Sequence, residues 1–269
     1  MDIMPIKAII GKLSDNKKEA IMRKKLELLK TQSEFKKIGI EELPKTRDDI
    51  QLFETANILT NALISKFGLP SLDISSNVFH VVKEEDRWRV HFYLGENTCG
   101  CLGFFDSKSQ MIMFLEEFNG LSYYKKLDSL IHEILHLKSY QSLQIKRGGK
   151  ESCYRNGLTI KGSYFRAIDE ALTQTTADLL VSKSTGRDYE GISYKKEKYI
   201  LETLICGIFN KNLERFKDKN EVFDMFLRAY FTGNVMPLAR IIKKTFGYDA
   251  FGFAAKHDFN FLLEDAMIS

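Results

Sequence analysis

Cysteine is scarce: Cys99, Cys101, Cys153 and Cys206 are the only four in 269 residues, too few for a disulfide framework in a chain of this size. A reduced, cytoplasmic setting is the expectation that follows. No run of 18 or more apolar residues occurs, so neither a transmembrane helix nor a membrane partner is expected. Residues 1–13 are neither long nor apolar enough for a signal peptide, and they run into Asp15 and a lysine-rich stretch. An excess of one charge is missing as well. Forty Lys and Arg against 36 Asp and Glu leave a net charge of +4, too small and too evenly mixed to argue for nucleic acid. Lys17-Lys18, Lys24-Lys25 and Lys195-Lys196 each have an acid close by and read as solvated helix faces. No internal repeat or low-complexity tract is found.

A chain that is 44% hydrophobic and 28% charged lies in the ordinary globular range. Lys, Glu and Leu at helical spacing predict an exposed amphipathic helix over 14–37. Pro44 ends that region, and residues 45–48 read as a cap for a second helix over 48–67. That helix carries Ile50, Leu52, Phe53, Ala56, Leu59, Leu63 and Ile64 and stops at Gly68 and Pro70. Two β-rich runs, 78–82 and 88–93, flank a charged stretch and predict a hairpin; 101–105 and 111–115 predict another. Helical patterns resume near 122 and dominate from there. A loop over 141–165, dotted with glycines, either shapes a cleft or carries a short hairpin around 154–160. The plan is α+β: a small, mostly antiparallel sheet, then a site helix, then a largely helical C-terminal half.

The chain has five histidines, and two of them stand in His132-Glu133-Ile134-Leu135-His136. Residues four apart share a helix face, so both imidazoles can address one point. Glu133 lies beside them, placed to reach a water at that point. Leu127, Leu130, Ile131, Ile134 and Leu135 supply the apolar side of the helix. Catalytic zinc usually takes three protein ligands and keeps an open position. Glu170 is the candidate third ligand, because a carboxylate among Ala167, Ile168, Ala171 and Leu172 is costly to bury unless paired or metal-bound. Asp169 is the neighbouring alternative, and successive helical residues point too far apart for both to ligate one ion. Cys153 and His257 are further candidates.

These residues bring a known family into view. His132-Glu133-x-x-His136, a loop, and then Asp169-Glu170-Ala171-Leu172-Thr173-Gln174 resemble the gluzincin metallopeptidases, the thermolysin-like clan, and above all its compact bacterial members. The resemblance covers about 120–185, with a looser likeness of plan back to residue 48. With the helical pattern before Pro44 it divides the chain into an expected N-terminal helical segment over 1–45 and a zincin-like domain with a helical C-terminal part over 46–269. It also implies a Zn2+ cofactor on His132, His136 and Glu170, Glu133 as general base, and a peptide or protein substrate. A strand beside the site helix, here 111–115, would pair with that substrate as an edge strand. Among Tyr154, Tyr164, Tyr189 and Tyr194, the family's habit of placing a Tyr or His beyond the second helix selects Tyr194 as oxyanion donor. Asp169 stands where the family commonly has Asn, and Gln174 where it often has an acid, so the groups that orient the histidines differ.

Other signals read as structural. Cys99-Gly100-Cys101 lacks CxxC spacing, His80 and His91 lie in expected strands, and the aromatic tail beyond Phe246 reads as core. Two rivals remain. A di-iron carboxylate bundle needs two Glu-x-x-His motifs, and only Glu133-x-x-His136 occurs. A zincin-like module that binds without cleaving is the other, and the intact Glu133 speaks against it.

Overall fold

A computed structural model of the protein describes residues 6–28, 35, 39–94, 102–146, 149–161 and 163–256. Cys99, Cys101 and His257 lie outside them, as does most of the expected helix beyond Leu28. The architecture is α+β, with two small mixed sheets and a helical C-terminal half.

The first sheet has the order β2-β4-β3, made of β2 (Phe79–Val82), β3 (Gly103–Asp106) and β4 (Met111–Leu115). β3 and β4 form the expected antiparallel hairpin, with Phe105 opposite Ile112. The other expected hairpin is not formed. β2 pairs in parallel with β4, and its supposed partner, 88–93, lies in an α-helix, α3 (Arg87–Leu94). The run is rich in strand-forming residues, yet residues 88, 90 and 92 do not share a face: Val90 is buried, while Trp88 and Phe92 are exposed. Arg87 pairs with Glu84 and Arg89 with Asp86, three-residue spacings that a helical backbone serves and an extended strand does not. β4 is therefore the middle strand, and the edge strand beside the site is β3, contrary to the expectation for 111–115.

The second sheet has the order β1-β5-β6-β7. β1 (Ile6–Ile10), which the sequence reading did not foresee, pairs in parallel with β5 (Gln141–Ile145). β6 (Glu151–Asn156) and β7 (Thr159–Ile160) form the short hairpin that was one of the two expectations for the 141–165 loop.

The helices α1 (Asp15–Leu28) and α2 (Arg47–Ser65) begin where expected, and Thr46 and Asp49 form a reciprocal capping box at the start of α2. α2 packs on the first sheet through Phe53, stacked 5.8 Å from Phe79. It also runs parallel to α4 (Tyr123–Lys138) and is pinned to it twice. Asp49 accepts from Lys126 at 2.8 Å. Farther along, the buried Lys138 ammonium donates to Asn57 O at 3.0 Å, Thr60 Oγ1 at 2.9 Å and Asn61 Oδ1 at 2.7 Å. Leu127, Leu130, Ile131, Ile134, Leu135 and Leu137 of α4 are fully buried, each contributing about 1.5–3 kcal/mol. The helix that carries His132 and His136 is thus fixed on all sides. Beyond it come α5 (Arg166–Thr185), α6 (Lys195–Asn210), α7 (Lys219–Thr232), α8 (Met236–Phe246) and the short α9 (Ala250–Ala255). No helix among the described residues is long and apolar enough to cross a membrane.

Candidate metal centre

α4 and α5 pack antiparallel, as three facing pairs show. His136 meets Glu170, His132 meets Gln174, and Asp128 shares Gln174 with Asp178. Each helix therefore presents a polar stripe at four-residue spacing, Asp128-His132-His136 on one and Glu170-Gln174-Asp178 on the other. Where the stripes meet at one end, three atoms converge. His132 Nε2 and His136 Nε2 lie 3.2 Å apart, and Glu170 Oε2 lies 3.3 Å from the first and 3.4 Å from the second. Zinc bonds of about 2.0–2.1 Å at tetrahedral angles put neighbouring ligand atoms about 3.3 Å apart. The triangle fits a metal ion, and among the described residues these three side chains alone form a group able to hold one. One carboxylate in that group is too few for a bridged di-iron centre.

The other ring nitrogens decide which protonation state each imidazole presents. His132 Nδ1 is 3.1 Å from Gln174 Oε1. The amide's orientation is not ambiguous, because its Nε2 faces two carboxylates, Asp128 Oδ1 and Asp178 Oδ1, each at 2.9 Å. Carboxylates only accept, so the amide NH2 must lie on their side and the carbonyl on the histidine's side. His132 Nδ1 therefore carries its proton and leaves the Nε2 lone pair for a metal. Behind His136, Nδ1 lies 3.6 Å from Asp169 Oδ2 and 3.4 Å from the Tyr230 hydroxyl. Asp169 thus stands on the far side of the ring from the triangle. Its other oxygen accepts from the backbone N–H groups of Leu158 and Thr159 in the β6–β7 hairpin.

Charge and burial compete here. Burial pushes the Asp169 carboxyl up to about 6, even against the pull of His136. Burial would lower His136, but Glu170 and Asp169 outweigh it and lift the imidazole to about 9. Glu170, also raised by burial alone, is held well below the usual carboxylate range by the two histidines.

Glu133 is buried beside the triangle, outside the ligand group. Burial raises its carboxyl, with the histidines and a hydrogen bond from the backbone of Phe105 opposing. That bond sets Glu133 between the His132–His136–Glu170 triangle and the edge strand β3. Tyr194 caps α6 with a left-handed φ of 56°, and its ring lies parallel to His132, 5.6 Å away at 7°. Arg166, an exposed side chain at the start of α5, places Nε 3.7 Å from Glu170 Oε1. Cys153 lies in β6 and is not part of the ligand group. Tyr189 hydrogen-bonds Asp128 instead of reaching the histidines, and Tyr164 is exposed.

The residues that the sequence reading passed over are Asp128, Asp178, Tyr230 and Lys198. For the two aspartates a signal existed: Asp128 lies four residues before His132 and Asp178 four after Gln174, both already singled out. Tyr230 and Lys198 come from distant helices and leave no local mark. Comparison of the chain with protein-family models, curated proteins and solved structures gave no significant match.

Proposed function

We propose that the protein is a zinc-dependent peptidase of the gluzincin type, with His132, His136 and Glu170 as metal ligands. The observation that supports this most is the near-equilateral triangle of two Nε2 atoms and one Oε2 atom at 3.2–3.4 Å, with Glu133 buried next to it and not part of it. Zinc, when bound, supplies Lewis-acid chemistry, polarising a carbonyl and acidifying a water.

The chain's own residues do the rest. Glu133 takes a proton from the attacking water and delivers it to the leaving amine. Its burial-raised carboxyl suits a group that must act first as base and then as acid. Tyr194, held against the His132 ring, donates a hydrogen bond from its hydroxyl to the oxyanion that develops on the carbonyl oxygen. β3, the edge strand whose Phe105 backbone reaches Glu133, pairs with an extended substrate backbone.

Glu133→Gln keeps the shape and the metal ligands. Incubated with an unstructured polypeptide, the zinc-loaded variant is expected to hold wild-type zinc and lose hydrolysis by at least about a hundredfold. Unimpaired cleavage by Glu133→Gln would refute the assigned base. A wild-type protein that binds zinc and cleaves no polypeptide would instead be a binding module.

A further inference from the structure

The polar stripes of α4 and α5 do not end at the ligand triangle. Their other ends meet in two buried carboxylates, Asp128 and Asp178, that no step of hydrolysis uses. Both accept from the same Gln174 amide, at 2.9 Å each. Each also holds the stretch that leads to Tyr194. Asp178 Oδ1 accepts from the Gly191 backbone at 3.0 Å, and its Oδ2 accepts from Lys198 Nζ at 2.9 Å. Asp128 accepts from the Tyr189 hydroxyl. Lys198 then reaches back to the Gly191 carbonyl at 3.1 Å, and its backbone N–H closes the first turn of α6 onto Tyr194 O at 2.8 Å. Gly191 sits so close over this cluster that a Cβ there would lie 2.7 Å from Gln174 Nε2 and 2.8 Å from Asp178 Oδ1.

We infer that the Asp128–Asp178 pair is a positioning hub for the centre. Through Gln174 it sets the tautomer of His132, and through Tyr189, Gly191 and Lys198 it holds the segment that lays Tyr194 on the same imidazole. The inference rests on the metal-centre reading above and deepens it. It also accounts for an amide at 174. Two carboxylates and one ammonium already balance poorly there, and a third acid would add repulsion where a neutral group can donate to both aspartates and still accept from His132 Nδ1. Neither aspartate hydrogen-bonds a side chain of the triangle: both reach it through Gln174 and the segment before Tyr194, and the Asp128 carboxylate also acts on His132 through its charge.

The test uses the full chain loaded with zinc. Asp178→Asn turns an amide N–H toward either Lys198 or the Gln174 and Gly191 donors. Gly191→Ala pushes the segment off Gln174 without changing charge. Affinity is read by competition with a chelator, and the His132 Nδ1 proton is followed as an imidazole N–H resonance. A core variant elsewhere, Val222→Ala, serves as control for a general loss of stability. Both hub variants are expected to bind zinc about tenfold or more weakly and to lose the slowly exchanging His132 proton, while Val222→Ala keeps both. Wild-type affinity and an intact His132 proton in either folded hub variant would overturn the inference and leave the metal reading standing. A wild-type chain that takes up no zinc would overturn both.

Discussion

Asp169→Asn changes one atom and has a consequence that the hydrogen bonds dictate. Asp169 Oδ1 is claimed by two backbone donors, Leu158 N and Thr159 N, and Oδ2 faces His136 Nδ1. An asparagine must keep its carbonyl on the two N–H groups, so its NH2 turns toward His136. Donor then meets donor, and the imidazole is driven to the tautomer with its proton on Nε2, where the metal would bind. Only a carboxylate serves both sides, which gives a physical reason for acid at this position. The Tyr230 hydroxyl, 3.4 Å from Nδ1, offers a weaker acceptor, so the loss should sit at the lower end of the range for such orienting groups, about tenfold in zinc affinity. Tenfold is about 1.4 kcal/mol. At a fixed excess of zinc the metal-induced stabilisation shrinks by that amount, or roughly 3 °C in Tm for a chain of this length. Without zinc, relief of a buried carboxyl pushed up to about 6 opposes the loss of its charge contact with His136, so the metal-free melt of each protein is the baseline from which its zinc-induced rise is read. Thermal melts with and without zinc separate the two terms. An unchanged zinc-induced rise in Asp169→Asn would refute the tautomer reasoning.

Two further outcomes follow from the same geometry. In the metal-free protein His136 is lifted to about 9, so below that pH a proton occupies the imidazole and zinc must displace it. Zinc affinity should therefore climb about tenfold per pH unit from 7 to 9, with about one proton released per ion at pH 7; calorimetry in buffers of different ionisation heat counts that proton, and flat affinity over this range would contradict it. Gly157, at φ 57°, lies where a Cβ would strike Asp169 Oδ1 and the Tyr230 ring. Gly157→Ala is expected to cost at least about 1–3 kcal/mol in denaturant unfolding and to weaken zinc binding as well, whereas a loss of stability with affinity intact would separate the hairpin from His136.

Much of the centre was legible because helical periodicity is local. His132 and His136 declared their shared face, and Glu170 stood out as an acid in an apolar stretch. The same rule, carried one turn further, reaches Asp128 and Asp178, whose burial depends on two helices meeting and so carries no compositional mark. Tyr194 beside His132 came from family resemblance, while Tyr189 turned out to be occupied by Asp128. The sheets were harder. β1 pairs with β5 across more than a hundred residues, and β2 reaches β4 in parallel instead of turning back on itself. Strand partners at such separations are set by tertiary packing and not by local pattern. Residues 88–93 misled because Trp88, Val90, Phe92 and Tyr93 are strand formers by type, while salt bridges to Glu84 and Asp86 favour the helix.

The central claim is a single metal ion on His132, His136 and Glu170. Elemental analysis of the purified full chain, run beside Glu170→Ala, tests it most directly. The account predicts one equivalent of zinc in the wild type, and a folded Glu170→Ala that loses it or binds it far more weakly. A wild-type protein without metal after zinc loading, or a Glu170→Ala variant that retains a full equivalent at unchanged affinity, would contradict it.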